Sequence, residues 1–408
     1  MHSNSRLFAF PALGALAAAT ALGLAAPAAA QISGDVVKIG FITDMTGLLS
    51  DTDGPGGVEA MRMAVADFGG TVNGKKIEVL SADHQNKADI AASIAREWVD
   101  RQGVDMLIAG TNSSAALAVS KIATDKKKPM FVIAAGSARM TNEDCSPYTI
   151  HYAYDTVSTS RVMGSEIVKL GGKSWYFLTA DYAFGKSLEA DASKVVTQLG
   201  GTVVGSSRFP LSASDFSSFL LQAQASKAKI LALATSGDDT KNSIKAANEF
   251  GVTRQMNIAG LTMFIHDIHG LTLPVTKGMY VTESWYWDQS EESRKWARRY
   301  FEKMKKMPSS LQAANYSATL QYLNAVKAVD SDDAAKVVAH LKKAKLNDMY
   351  VKGGWVREDG RMMKEQYLYQ IKALEESRYA WDYYKPVKTV PAEQAFTTKA
   401  ESTCPIWK

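Results

Sequence analysis

The stretch VVKIGFITDMTGLLSDTDGPGGVEAMRMAVADF, residues 36–68, decides the fold. It opens on a short β-branched and apolar run, Val37 to Ile42, which reads as a strand. A loop rich in Gly, Asp and Thr follows. Val58, Met61, Val65 and Phe68 then recur at three- and four-residue steps, one face of a helix. Strand, loop and helix make half of a βαβ unit, and the chain repeats it. Lys76 to Leu80, Val104 to Ala109 and Met130 to Ala134 read as strands. Between them lie helices marked by Ile90, Ile94 and Trp98 and by the segment Ser114 to Ile122. Short apolar strands alternating with helices imply a parallel sheet covered on both faces.

The pattern starts again near Ser158. Met163, Ile167 and Leu170 mark a helix, and Trp175 to Thr179 a strand. Strands at Thr202 to Ser206, Ile230 to Ala234, Met256 to Gly260 and Met279 to Thr282 follow, with helices between the first three. Asp239 to Phe250 is one of these helices, ended by Gly251, a residue type favoured just past a helix end. Beyond Glu283 helical stripes run through Trp296, Tyr316 and Leu341 with no strand between them, so they pad a sheet already built. Gly353-Gly354-Trp355 and Asp359-Gly360-Arg361 frame a hairpin-like turn, and Tyr367 to Ile371 is a late strand. The expected fold is α/β, two lobes that are each a mainly parallel sheet flanked by helices.

The first 30 residues stand apart. Arg6 precedes an apolar run from Leu7 to Leu24, and Ala28-Ala29-Ala30 supplies small residues at a cleavage point. That is the layout of a secretory leader cut after Ala30, which sends the mature chain to the periplasm. No later segment has the apolar length to cross a membrane. The two cysteines, Cys145 and Cys404, are expected to bridge in an oxidising compartment and to pin the carboxyl-terminal tail. The net charge of +5 is scattered. Its one run, Lys126-Lys127-Lys128, closes a helix, where the dipole favours it. No basic face with interleaved aromatics appears, which argues against nucleic acid.

Open parallel sheets bind ligands outside the carboxyl ends of their strands. Four loops fall there: Gly110-Thr111-Asn112-Ser113-Ser114, Ala134-Ala135-Gly136-Ser137, Asp181-Tyr182-Ala183-Phe184-Gly185 and Thr235-Ser236-Gly237-Asp238-Asp239. Small residues admit a ligand to the backbone, hydroxyls donate hydrogen bonds, and free amides at helix starts favour anions. Ser113, Ser114 and Asp239 also suit the simpler role of helix N-caps.

With these loops in view, the chain resembles the branched-chain amino-acid-type (type I) family of periplasmic solute-binding proteins that serve ABC importers. The stretches that carry the resemblance are Lys38 to Gly47, Gly56-Gly57-Val58-Glu59-Ala60, Ala82 to Asp89 and Thr179 to Gly185. The family implies two lobes joined by a three-segment hinge, with ligand in the cleft between them. Crossings then fall near Ala153 to Asp155, near Glu283 and near Lys352. One lobe comprises 31–153 and 285–351, the other 154–284 and 352–390, with 391–408 as a tail. The resemblance also implies a ligand carboxylate received by Ser113, Ser114, Ala135, Gly136 and Ser137, and an aromatic wall at Phe184 with Tyr182 beside it. Where relatives place an acid for an amino-acid ammonium, this chain has Thr262 in Gly260-Leu261-Thr262-Met263-Phe264. A desolvated ammonium without an acceptor is costly. Asp181 or Asp238 is the candidate substitute, with Ser236 in the same loop as Asp238. Otherwise the ligand is an aromatic or hydrophobic carboxylate, with Trp285 as a further wall. Permease subunits are the implied partners, a monomer is expected, and no cofactor is called for.

Other patterns fall short. Ala180 to Ser187 nearly spells a phosphate-binding P-loop, but its first glycine is Ala180. His266 and His269 alone do not fill a tetrahedral metal site. No Gly-x-Ser-x-Gly elbow or His-Glu-x-x-His pair supports a hydrolase. Binding rather than catalysis is therefore expected, either importer-linked capture or a sensor on the same fold.

Overall fold

The structure, a computed structural model, describes residues 1, 2, 7 and 32–408. The leader run and its cleavage point lie outside the described residues. From Gln31 onward the chain is one compact unit. Its first sheet contains strands β1 (Val36–Thr43), β2 (Thr71–Val72), β3 (Lys75–Asp83), β4 (Met106–Ala109), β5 (Met130–Val132) and β6 (Thr149–His151) in the order β2-β3-β1-β4-β5-β6. All neighbours are parallel except the short β2–β3 hairpin. Helices α1 (Gly54–Phe68), α2 (Ala88–Arg101) and α3 (Ser113–Asp125) connect these strands. Alternate residues of β4 explain its continuous apolar run: Met106 and Ile108 join the core that contains Met61 of α1, while Leu107 and Ala109 join Trp98 and Val119 on the other face. A strand buried on both sides has no polar alternation to show.

The second sheet has the order β10-β9-β7-β8, all parallel, from β7 (Ser174–Ala180), β8 (Thr202–Phe209), β9 (Ile230–Ala234) and β10 (Asn257–Gly260). A small antiparallel sheet joins β11 (Tyr280–Glu283) to two late strands described below. The helices Glu291–Met304 and Ser310–Val329 then return to pack on α1 of the first body. The expectation that these stripes pad an existing sheet is met. Next, β12 (Leu346–Asn347), β13 (Lys352–Val356) and β14 (Met362–Met363) form a hairpin cluster bonded to the first sheet, where His151 N donates to Gly360 O at 2.9 Å. Finally β15 (Gln366–Ile371) pairs with β11, and β16 (Tyr384–Val390) with β15.

Where the chain leaves one sheet for the other, buried polar groups meet. Arg361, fully buried, faces the Asp155 carboxylate at 3.6 Å and donates to Tyr154 O at 3.1 Å. Glu283 accepts from Ser310 Oγ at 2.5 Å and Tyr384 Oη at 3.2 Å. Cys145 and Cys404 form a disulfide with Cα atoms 5.7 Å apart. The tail it secures is also held by Arg161, which donates to Phe396 O and pairs with Glu401 at 2.6 Å.

Burial raises the Glu283 carboxyl from 4.5 to about 8, against the lowering effect of its two hydroxyl donors. The group is neutral in the fold and ionised in the unfolded chain between those values. Its stabilising contribution is therefore complete below pH 4.5 and is lost as pH rises through 8. Unfolding free energy from denaturant titration should fall from pH 5 to pH 7, by at most about 1.4 kcal/mol per unit for each such group. Asp267, raised by burial to about 7, acts in the same direction. Glu283→Gln should make the slope shallower; an unaltered slope would rule out a buried neutral Glu283.

Candidate functional site

The carboxyl ends of the two parallel sheets face one another, and the loops there are built by local rules. Asp44 follows β1, and its carboxylate accepts from Gly47 N at 2.7 Å, Leu49 N at 2.9 Å and Asn86 Nδ2 at 2.6 Å. That fixes the 44–49 loop, which presents the Leu48 carbonyl to the other body, where Asp238 N donates to it at 3.1 Å. Gly237 permits the approach. It has φ +64°, and a Cβ there would stand 2.4 Å from Leu48 O. The P-loop-like glycine has a similar steric origin, since a Cβ on Gly185 would meet Ala180 O at 2.1 Å.

The serines differ from simple caps. Asn112, at φ +64°, caps α3 by accepting from Ser114 N and Ala115 N. Ser113 Oγ is thereby free to accept from Ser137 N at 3.1 Å, and Ser114 Oγ accepts from Ala183 N of the opposite body at 3.3 Å. Ser137 Oγ meets Ser187 Oγ across the same gap at 2.7 Å. Gly136 lets the Tyr154 ring pack against the backbone, where a Cβ would be 2.6 Å from it. Asp239 is not a cap either: Gly237 holds that position of the helix Asp238–Glu249, and the Asp239 carboxylate accepts from Ser212 N at 3.0 Å.

Between the bodies a small cavity remains, with about 10 Å³ open to the centre of a water molecule. Ser113, Ala135, Tyr182, Phe184 and Ser236 line it, as the sequence anticipated, together with Thr52, Thr111 and Tyr154. Tyr154 is the wall residue that the sequence reading assigned to a crossing. Its hydroxyl donates to Ala134 O at 3.0 Å, and its ring lies edge-on to Phe184 and Phe264, with centroids at 6.5 and 5.7 Å. No lining residue carries a charge. Thr262 is buried with its hydroxyl unpartnered, as are Thr179 and Thr235, all three at the carboxyl ends of second-sheet strands.

Ser114, Gly136, Ser137 and Thr262 stand behind this lining, and Asp181, Asp238 and Trp285 lie elsewhere. Asp181 is half exposed and pairs with Lys186 at 2.8 Å, and Asp238 pairs with Lys241 at 2.7 Å with its side chain also half exposed. Each acid has a lysine within a turn or so along its own helix start and turns to it. Trp285 is fully buried, with its indole N–H on Ser293 Oγ and Met349 O and its ring against Trp296, so it is core. His266 bonds Met307 O and His269 stacks on Trp381 at 4.0 Å. No cluster able to hold a metal occurs among the described residues.

Comparison with known proteins agrees with this geometry. A family model described as periplasmic binding protein matches residues 36–377. The chain belongs to the periplasmic binding protein family. A periplasmic binding protein from Burkholderia mallei shares 60% identity over 92% of this chain and 100% of its own, with a TM-score of 0.91. A branched-chain amino acid ABC transporter periplasmic ligand-binding protein from Burkholderia xenovorans shares 38% identity over 91% of this chain and 100% of its own, at TM-score 0.80. A solute-binding protein of an ABC transporter from Rhodopseudomonas palustris, in complex with 3,4-dihydroxybenzoic acid, has the same fold at 23% identity, covering 88% of this chain and 98% of its own, with a TM-score of 0.79. No match was found among curated proteins. This binding protein is thus a ligand-capturing component of ABC transport and not an enzyme. No described helix is long and apolar enough to cross a membrane.

The few bonds across the gap define the closed arrangement of this binding protein. Gly237→Ala should push Leu48 away and prevent it. Small-angle scattering should give a larger radius of gyration for the variant than for the parent, with far-UV dichroism unchanged. Identical radii would remove Gly237 from any role in closure.

Proposed function

We propose that this protein captures a small aromatic or hydrophobic organic acid in the periplasm, by closure of two lobes, and delivers it to the permease of an ABC importer. The observation that carries this reading is the make-up of the cavity wall. Tyr154, Tyr182 and Phe184 offer an aromatic slot, while Ser113, Thr111 and Ser236 offer hydroxyls, with no carboxylate among them. An ammonium would find no charged acceptor in that lining, whereas a carboxylate meets the hydroxyls of Ser113, Thr111 and Ser236. Hydroxyls without partners, such as those of Thr235 and Thr262, favour a ligand rich in acceptors. Proteins of this fold bind 3,4-dihydroxybenzoic acid, benzoate and 4-hydroxybenzoate.

On this reading the lobes divide at 153–155, near Glu283, and at 364–365. Lys352 was the crossing expected from the resemblance; the bond from His151 to the hairpin 352–363 supports a division just after it instead. The leader is removed after Ala30, and the mature chain acts as a monomer with Ser113, Ser114, Ala135, Gly136, Ser137, Tyr182 and Phe184 around the ligand.

An amino-acid ligand is the second reading. The Burkholderia xenovorans relative is described as a branched-chain amino acid transporter protein. Asp53, beside the cavity residue Thr52, also keeps one carboxyl oxygen without a partner. Burial without a counter-ion pushes that carboxyl well above the usual range, and an ammonium placed beside it would draw it back towards its ionised form.

Thermal-shift and calorimetric titration with benzoate, 4-hydroxybenzoate, leucine and phenylalanine distinguishes the readings. Stabilisation by the benzoates is expected. Ser113→Ala with Ser137→Ala should weaken that binding by at least about a hundredfold, at about 1.5–3 kcal/mol for each hydrogen bond to a charged group. Stabilisation by leucine or phenylalanine alone reverses the assignment, and unchanged affinity in the double variant removes the carboxylate site.

A further inference from the structure

A second, larger cavity of about 930 Å³ lies behind the passages between the sheets, and it shares no lining residue with the cleft. Tyr286, Tyr350, Tyr367, Tyr369, Tyr379 and Tyr384 surround it. Its size falls within that of small-molecule pockets, roughly 300–1,000 Å³. Tyrosine rings provide apolar faces at small entropic cost, and each hydroxyl adds a polar point.

The charges around this space are unequal in their commitments. Asp382 is engaged by Lys372, Glu376 by Lys385 at 2.9 Å, Asp288 by Arg294 at 3.0 Å, and Glu365 accepts from Tyr367 at 2.7 Å. Lys364 is 5% exposed and forms no ion pair among the described residues. Its ammonium donates to the Ser284 carbonyl and stands over the rings of Tyr350 and Tyr367, 4.4 and 5.5 Å from their centroids. One carbonyl and two ring faces leave a buried cation without a counter-ion, a state that is unfavourable until an anion joins it.

We propose that this cavity is a second ligand site, for a small aromatic anion that packs on the tyrosine rings and sets its negative group beside Lys364. The site does not depend on what the cleft binds. The titratable groups that face Lys364 are Glu365, Asp348, Glu283 and Arg361, and burial leaves its pKa at about 7. An anion seated there draws a proton onto the amine, so binding is tighter at pH 6 than at pH 8.

Calorimetric titration of the mature chain with naphthalene-2-sulfonate tests this. Saturable one-to-one binding is expected, weakened at least tenfold by Lys364→Met and about threefold by Tyr379→Ala. The Ser113→Ala, Ser137→Ala double variant should bind the probe as the parent does. Tyr379 is half exposed, so its variant keeps the test decisive if Lys364→Met does not fold. Absence of saturable binding, insensitivity to the hinge variants, or loss in the cleft variant instead would each overturn the proposal.

Discussion

The rest of the architecture depends on the buried contact between Arg361 and Asp155. These residues come from different passages of the chain, and the guanidinium also holds the carbonyls of Tyr154 and Met362. Lys364 reaches the Ser284 carbonyl of the remaining passage. Desolvating such groups is costly, and a well-packed apolar hinge could be more stable. Apolar contacts are non-directional, however, whereas a guanidinium that donates to two carbonyls beside a buried carboxylate fixes how the passages lie against one another. Removing one partner strands the other, at roughly 3–5 kcal/mol.

That constraint reaches the cleft through one peptide bond. Tyr154 precedes Asp155, and its carbonyl is bound by Arg361 while its ring forms part of the cavity wall. The same residue thus answers to the hinge through its backbone and to the cleft through its side chain. Gly136 and the Ala134 carbonyl complete the placement of the ring by leaving room for it and accepting its hydroxyl. The wall is rigid because three separate segments determine it.

Most of the fold could be read from residue pattern because its strands are buried on both faces and its helices on one. Apart from the two-residue strands, two that escaped notice have other textures. Thr149–His151 is three residues long and bears two polar side chains, and Tyr384–Val390 carries Lys385, Pro386 and Lys388 on an edge. The cleft loops were legible from their position at strand ends. Which side chains turn inward was not. Asp181 and Asp238 looked like acceptors, yet each has a lysine nearby along its own segment, Lys186 and Lys241, and that spacing was a usable warning. Tyr154 gave no such sign, since its role comes from contacts with Ala134 and Gly136, made only after folding.

The cavity between the bodies admits about one water, so on the proposed reading a guest enters while they are apart. On that reading, closure without a guest rests on the Ser137–Ser187, Ser114–Ala183 and His266–Met307 bonds, the Asp238–Leu48 backbone bond and the Lys241–Asp51 ion pair. At about 1 kcal/mol net for each hydrogen bond, they leave the two arrangements close in free energy. A guest that bonds to both bodies adds a comparable amount to the closed form alone, and differential binding of that size moves the population. Stronger bonds across the gap would lock the jaws before capture, and weaker ones would leave the whole cost of closing to the ligand. A handful of hydroxyl, amide and imidazole contacts with one loose ion pair lies between those limits.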